Sequence, residues 1–140
     1  MNLKYADAIG RIENCPPNDV SPIVGLSYRF VHADIKDSRN FLPVAMLSPK
    51  RTFKTSKDQC SAYGLSMFAS EIQAREFYKK LRAIHKKIRD TLGTHVACGS
   101  LGQDEGISTE PESDGHFNFF EAEGLSLVER FVIVGEDCDA

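Results

Sequence analysis

Along residues 70–92, SEIQAREFYKKLRAIHKKIRDTL, apolar side chains recur every three or four positions: Ala74, Phe77, Tyr78, Leu81, Ile84, Ile88 and Leu92. At about 100° per residue these fall on one stripe roughly 120° wide, the pattern of a helix docked on a sheet. Ser70 followed three residues later by Gln73 has the spacing of a capping box, and Gly93 supplies a left-handed stop. The spacing therefore predicts one long helix over 70–92. A shorter one is predicted within residues 2–14, where Leu3, Ala6, Ile9 and Ile12 lie three apart before prolines 16, 17 and 22 interrupt the chain.

Elsewhere the period is two. GLSYRFVH (25–32) puts Leu26, Tyr28, Phe30 and His32 on one face of a strand and Ser27, Arg29 and Val31 on the other. AYGLSMF (62–68) and THVACGSL (94–101) read as two more strands, and VAML (44–47) as a short one. HFNFFEAEG and ERFVIVG read as a final hairpin or pair of strands. The strand–helix–strand unit over 62–101 resembles a crossover, which makes its two strands parallel if they are neighbours. These elements predict an α+β fold. It is a single compact domain with a mixed sheet of about five strands, one long amphipathic helix on one face and a short N-terminal helix. A polar loop, 102–115, is long enough to be functional or mobile.

Composition supports one core. The 140 residues are 41% hydrophobic and 26% charged, enough apolar material for one domain and too short for two. No apolar run approaches the roughly 20 residues that cross a bilayer, and residues 1–20 lack the apolar centre of a secretory signal. A cytoplasmic location with no membrane attachment is expected. Cys15, Cys60, Cys98 and Cys138 include no close pair of the kind that wraps a zinc ion, so free thiols serving as small packing residues are expected, with no metal and no cofactor.

The net charge of −3 hides a division. Residues 1–89 carry +8 and residues 90–140 carry −11, with no lysine or arginine between Arg89 and Arg130. On the helix, Arg75, Lys79, Arg82, Lys86 and Arg89 are spaced four, three, four and three apart, within about 80° of arc. Of the five, Arg75 alone has an acid one turn earlier, Glu71. Such a row can be a solvated face, a dock for the acidic segment 104–123, or a phosphate track continued by Lys50, Arg51, Lys54 and Lys57 around Phe53. The acidic pI of about 5.8 counts against the last.

Candidate chemistry is sparse. A strand arginine, Arg29, a strand serine, Ser66, and a Glu-x-Glu pair, Glu121 and Glu123, occur in that order. This layout resembles that of mono-ADP-ribosyltransferases. The resemblance implies an NAD-using enzyme in which Arg29 holds a dinucleotide phosphate, Ser66 orients the site and Glu123 stabilises a developing sugar cation. The chain departs from that family at Leu65-Ser66-Met67, where Ser-Thr-Ser is preferred. Cys98 with His95 or His116 could pair as thiolate and imidazole, although alternation beside Val96 favours burial of the thiol. His85 borders the apolar stripe, and GTHVACGSLG lacks the strand–glycine–helix order of a dinucleotide cradle.

Taken together, the charge layout predicts an accessory module that contacts a partner protein through its cationic helix face and acidic loop. A prokaryotic regulatory, immunity or defence-system subunit fits that description, with its oligomeric state open. A nucleic-acid-binding protein and an ADP-ribosyltransferase-like enzyme are the alternatives.

Overall fold

The structure, a computed structural model, describes all of residues 1–140. Twelve elements follow one another: α1 (Ala6–Gly10), β1 (Ser21–Pro22), β2 (Gly25–Val31), α2 (Val44–Leu47), α3 (Ser56–Ser61), β3 (Leu65–Phe68), α4 (Glu71–Ile84), α5 (Ile88–Thr91), β4 (His95–Leu101), β5 (Gly106–Ser108), β6 (His116–Glu121) and β7 (Phe131–Val134). The strands form one sheet in the order β1-β5-β6-β3-β2-β4-β7, and every neighbouring pair is antiparallel. The fold is thus α+β in a single compact domain, with seven strands where about five were expected and an antiparallel sheet where a mixed one was expected.

The crossover expectation fails for one reason: β2 inserts between β3 and β4. Both are antiparallel to it, so β3 and β4 run in the same direction without touching as neighbours. β6 and β7 are not a hairpin either, since β6 pairs with β3 and β5 while β7 lies at the far edge on β4. The acidic loop yields β5, and Ser108 and Ile107 pair with Ser21 and Pro22 of β1. The segment 44–47 is a helical turn and not a strand. Pro43 precedes it in extended geometry, and the amides of Met46, Leu47 and Ser48 turn back onto the carbonyls of Pro43 and Val44.

The long helix stops early. Ser70 caps α4 by accepting from the Gln73 amide at 3.2 Å. The Gln73 side chain bonds the Ser70 hydroxyl at 3.0 Å and not its backbone amide, so the box is half formed. α4 ends at Ile84, His85 turns extended, and α5 restarts the chain in a new direction. Ile84, placed in the apolar stripe by periodicity, is consequently exposed, while Ile88 is buried. Gly93 does provide the stop, at φ +100°, where a β-carbon would overlap the backbone of Val31.

Two cores flank the sheet. Val31, Leu65, Met67, Ala97, Phe117, Phe119 and Phe131 pack on one side, and α4 lays Ala74 and Tyr78 against Phe30, Phe68 and Val96 on the other. Tyr78 is fully buried, and its hydroxyl donates to Gly93 O at 2.8 Å, which satisfies the one polar atom that burial would penalise. A third cluster joins Ile9 of α1, Cys60 of α3 and Phe120. It contains a disulfide between Cys15 and Cys60, with α-carbons 5.6 Å apart, correcting the expectation of four free thiols. Cys98 and Cys138 remain free and partly buried. No helix is long and apolar enough to cross a membrane.

Candidate functional site

β2 and β3 share a single registered pair, Tyr28 with Phe68, and diverge beyond it. The opening is filled by the guanidinium of Arg29. Its Nε donates to Asn40 O at 2.7 Å and its Nη1 to Ser66 O at 2.8 Å. Asn40 is itself a buried plug: its side chain accepts from His32 N and donates to the carbonyls of Asp34 and Ile35, which folds the 32–43 connection over the opening. Nη2 of Arg29 makes no hydrogen bond, and Arg29 takes part in no ion pair. Burial lowers its pKa to about 10, with the charge of Glu121 acting in the opposite direction.

This opening is the end of a cleft of about 250 Å³. Phe68, Phe77, Leu81, Leu42 and Leu47 give it apolar walls, and Arg29, Arg39, His32 and His116 give it cationic or titratable ones. No aspartate or glutamate lines it. A cleft of this composition suits an anion that carries a flat or apolar body, because a guanidinium fork recognises phosphate or carboxylate oxygens while aromatic rings cover the remainder.

His116 was not assigned here by the sequence. The register pairs Ser66 with Asn118 and Phe68 with His116, so Ser66 and His116 share a face of the sheet. His116 Nε2 lies 3.1 Å from Ser66 Oγ. The imidazole stacks on Phe77 at 6.1 Å and meets Phe68 edge-on at 5.5 Å. Its Nδ1 faces Glu112 at 4.0 Å. Burial lowers its pKa, against the pull of Glu112 and Asp114, and this favours the neutral ring. The available signal was the alternation of HFNFFE opposite GLSMF, which could have been read only with the pairing known.

The Glu-x-Glu pair does not join this cleft. Glu121 is three residues past Asn118 and therefore points to the other face. There it is buried, with Lys4 at 3.8 Å, in a separate depression that also holds Lys36 and Phe41. Burial raises its pKa, while Lys4 and Arg29 lower it. Glu123 is exposed beyond the end of β6, its amide bonded to Asn2 O. Neither glutamate lines the cleft, though Glu121 shares a sheet face with Arg29 and its charge acts on the guanidinium.

The cation row is largely occupied from within. Arg75 pairs with Glu71 at 2.9 Å and donates to the carbonyls of Val134 and Glu136. Arg82 holds Asp139 at 3.1 Å, and Arg89 holds Asp137 and Asp139 at 2.7 and 2.9 Å. The acid that docks on the row is the C-terminal segment 136–139, not the expected segment 104–123. Lys79 and Lys86 form no ion pair and stay exposed. In the basic stretch, Lys50, Arg51 and Lys54 are exposed, with Arg51 over the Phe53 ring at 4.9 Å, and residues from Ser56 onward are helical. Cys98 faces Tyr28 and not an imidazole, and His95 bonds Thr94. No cluster of three or more His, Cys, Asp or Glu side chains is arranged to hold a metal ion.

The class defined by this architecture is a seven-stranded antiparallel α+β domain with a cationic cleft between β2, β3 and α4. Compared with known proteins, the chain matches no family model, no curated protein and no solved structure.

Proposed function

We propose that the protein binds a small anionic ligand of nucleotide-like chemistry in the cleft between β2, β3 and α4, with Arg29 as its anion contact. One observation carries the reading: a partly buried guanidinium whose Nη2 has no hydrogen-bond partner lines a cleft without any carboxylate. Holding a cation in such a place with no ion pair, and only the charge of Glu121 to oppose its desolvation, is costly, and an incoming phosphate or carboxylate offsets that cost. Phe77 and His116 offer a stacked surface for a planar ring.

The transferase alternative keeps only part of its support. Arg29 bonds the Ser66 carbonyl, and Glu121 is near enough for its charge to act on Arg29, but Glu121 lies on the face away from the Ser66 side chain and does not line the cleft, while Glu123 is out in solvent. The partner-protein reading rests on exposed Ile72, Ile84, Lys79 and Lys86 around α4, since Arg75, Arg82 and Arg89 are already engaged. The nucleic-acid reading rests on the same lysines with Lys50, Arg51 and Lys54.

Titration with pyrophosphate, ADP and NAD, followed by amide chemical shifts, tests the proposal. Expected are shifts confined to residues around Arg29, Ser66 and His116, and an affinity about tenfold or more weaker in Arg29→Met, the worth of a charge-assisted hydrogen bond. Shifts centred on Lys79 and Lys86, or affinity unchanged in Arg29→Met, would overturn it.

A further inference from the structure

We propose that Ser66 and His116 form a nucleophile and general base in the cleft, able to take the acyl group of a small carboxylic ester. Three observations converge on this pair. Ser66 is exposed toward the cleft although both its sequence neighbours, Leu65 and Met67, are buried, so its hydroxyl is the atom that β3 presents there. His116 Nε2 stands 3.1 Å from that hydroxyl, within proton-transfer reach. The ring is held in this orientation by Phe77 and Phe68, with Glu112 on the far nitrogen at 4.0 Å.

The backbone around the histidine is fixed as well. Asp114 accepts from His116 N at 3.0 Å, and Glu112 N donates back to His116 O at 2.9 Å, so a tight turn carries the base and its carboxylate together. The serine, histidine and acid occur here in the chain order Ser66, Glu112, His116. At 4.0 Å the exposed Glu112 makes no hydrogen bond to the ring and acts on it by charge alone, so the orientation rests on Phe77 and Phe68.

The fourth part is Arg29. Its Nη1 bonds the carbonyl of Ser66 itself, which brings the guanidinium to the residue that attacks and leaves Nη2 free for a developing oxyanion. Acylation then balances as follows. Ser66 Oγ forms a bond to the ester carbonyl carbon, its proton passes to His116 Nε2, and the carbonyl electron pair moves onto the oxygen beside Arg29. Collapse breaks the ester C–O bond, and the departing alcohol takes the proton from Nε2. Water repeats the sequence with His116 as base, releasing the acid and restoring Ser66. The cleft, about 250 Å³, restricts the acyl part to a small molecule.

This inference goes beyond ligand binding at Arg29, which uses His116 only as a stacking surface and requires neither its basicity nor the Ser66 hydroxyl. The full chain is treated with a fluorophosphonate probe, which bonds only to an activated hydroxyl, and with p-nitrophenyl acetate as the ester. One adduct is expected, located on Ser66 by peptide mass spectrometry. His116→Gln, which keeps a hydrogen-bonding side chain but no base, is expected to slow labelling about a hundredfold, in line with general-base contributions of roughly 10²–10⁴. Circular dichroism of each variant confirms that it is folded. An unlabelled Ser66 in the folded protein, or equal labelling in His116→Gln, would falsify the proposal. Pyrophosphate binding without labelling overturns this inference and leaves the Arg29 reading standing. Labelling without pyrophosphate binding does the reverse.

Discussion

Arg89 grips Asp137 with two parallel hydrogen bonds of 2.7 Å each, one from each terminal guanidinium nitrogen. With Asp139 beside them and Arg75 bonded to the backbone of Val134 and Glu136, the contact holds the C-terminal segment along α4 and α5. The Arg89 guanidinium holds the Asp137 carboxyl well below the usual carboxylate range, helped by a bond from the Asp139 amide.

A depressed carboxylate stabilises the folded state above its unfolded pKa, and that contribution is lost as pH falls through the lower, folded value. The C-terminal segment should therefore stay docked at neutral and mildly acidic pH and release only in strong acid. Hydrogen exchange at residues 136–139 checks this. Protection should collapse at neutral pH in Asp137→Asn, while the thermal midpoint moves little, because the groups are solvent-facing. Retained protection in Asp137→Asn would refute the account.

Gly93→Ala should destabilise the protein by about 2 kcal/mol or more. The residue sits at φ +100°, and a β-carbon there overlaps Val31, whose carbonyl accepts from Thr94 N. Urea midpoints compare the variants. A change under about 0.5 kcal/mol, the size of an ordinary surface substitution, would show that the turn relaxes freely.

Reducing the Cys15–Cys60 bond, or the paired change Cys15→Ser with Cys60→Ser, opens a loop of 45 residues in the unfolded chain. The expected loss is about 3–4 kcal/mol. The buried position of Cys60 between Ile9 and Phe120 places the local effect on α1 and α3 and not on the cleft. Denaturation with and without reductant gives the number, and ligand titration under reducing conditions tests the second point.

His116 predicts a pH dependence of the same sign as Asp137 but in a higher pH window, around the ordinary histidine value. Its folded pKa is lowered, first by burial, so the folded state binds its proton less readily than the unfolded chain. Stability is then full above the ordinary histidine value and falls as pH drops below it, until the folded group also titrates. His116→Gln should flatten that part of the stability curve. His32 is lowered too, by burial and then by Arg39, so the comparison is between variant and parent and not with a flat line. An unchanged slope in His116→Gln would remove the buried imidazole from the explanation.

Periodicity found what depends on local spacing: α4, its cap at Ser70, and the strands around Arg29, Ser66 and Cys98, while Gly93 proves to follow α5 and not α4. It ran on past Ile84 because lysine, arginine and isoleucine are all at home in a helix, and nothing in HKK announces a change of direction. What it could not find is set by pairing. Whether β3 neighbours β2 or β4, whether Cys15 meets Cys60, and whether His116 meets Ser66 are decided by contacts 40 to 50 residues apart. The charge row was visible, but its occupant was not, since both the segment 104–123 and the segment 136–139 are acidic and spacing along the chain does not say which one meets the helix. Glu121 does share a face with Arg29, as strand alternation from the Tyr28–Phe68–His116 register requires, but the side chains of Ser66 and His116 lie on the other face.

Two-residue β1 has a consequence for behaviour in concentrated solution. It lies on the outer side of β5, and Pro22 has no amide hydrogen to offer a newcomer. At the opposite margin, the Arg75 side chain has already claimed the carbonyl of Val134 at the end of four-residue β7. Both rims of the sheet are thereby blunted against the strand-on-strand stacking that seeds fibrils, a safeguard built from one imino acid and one guanidinium.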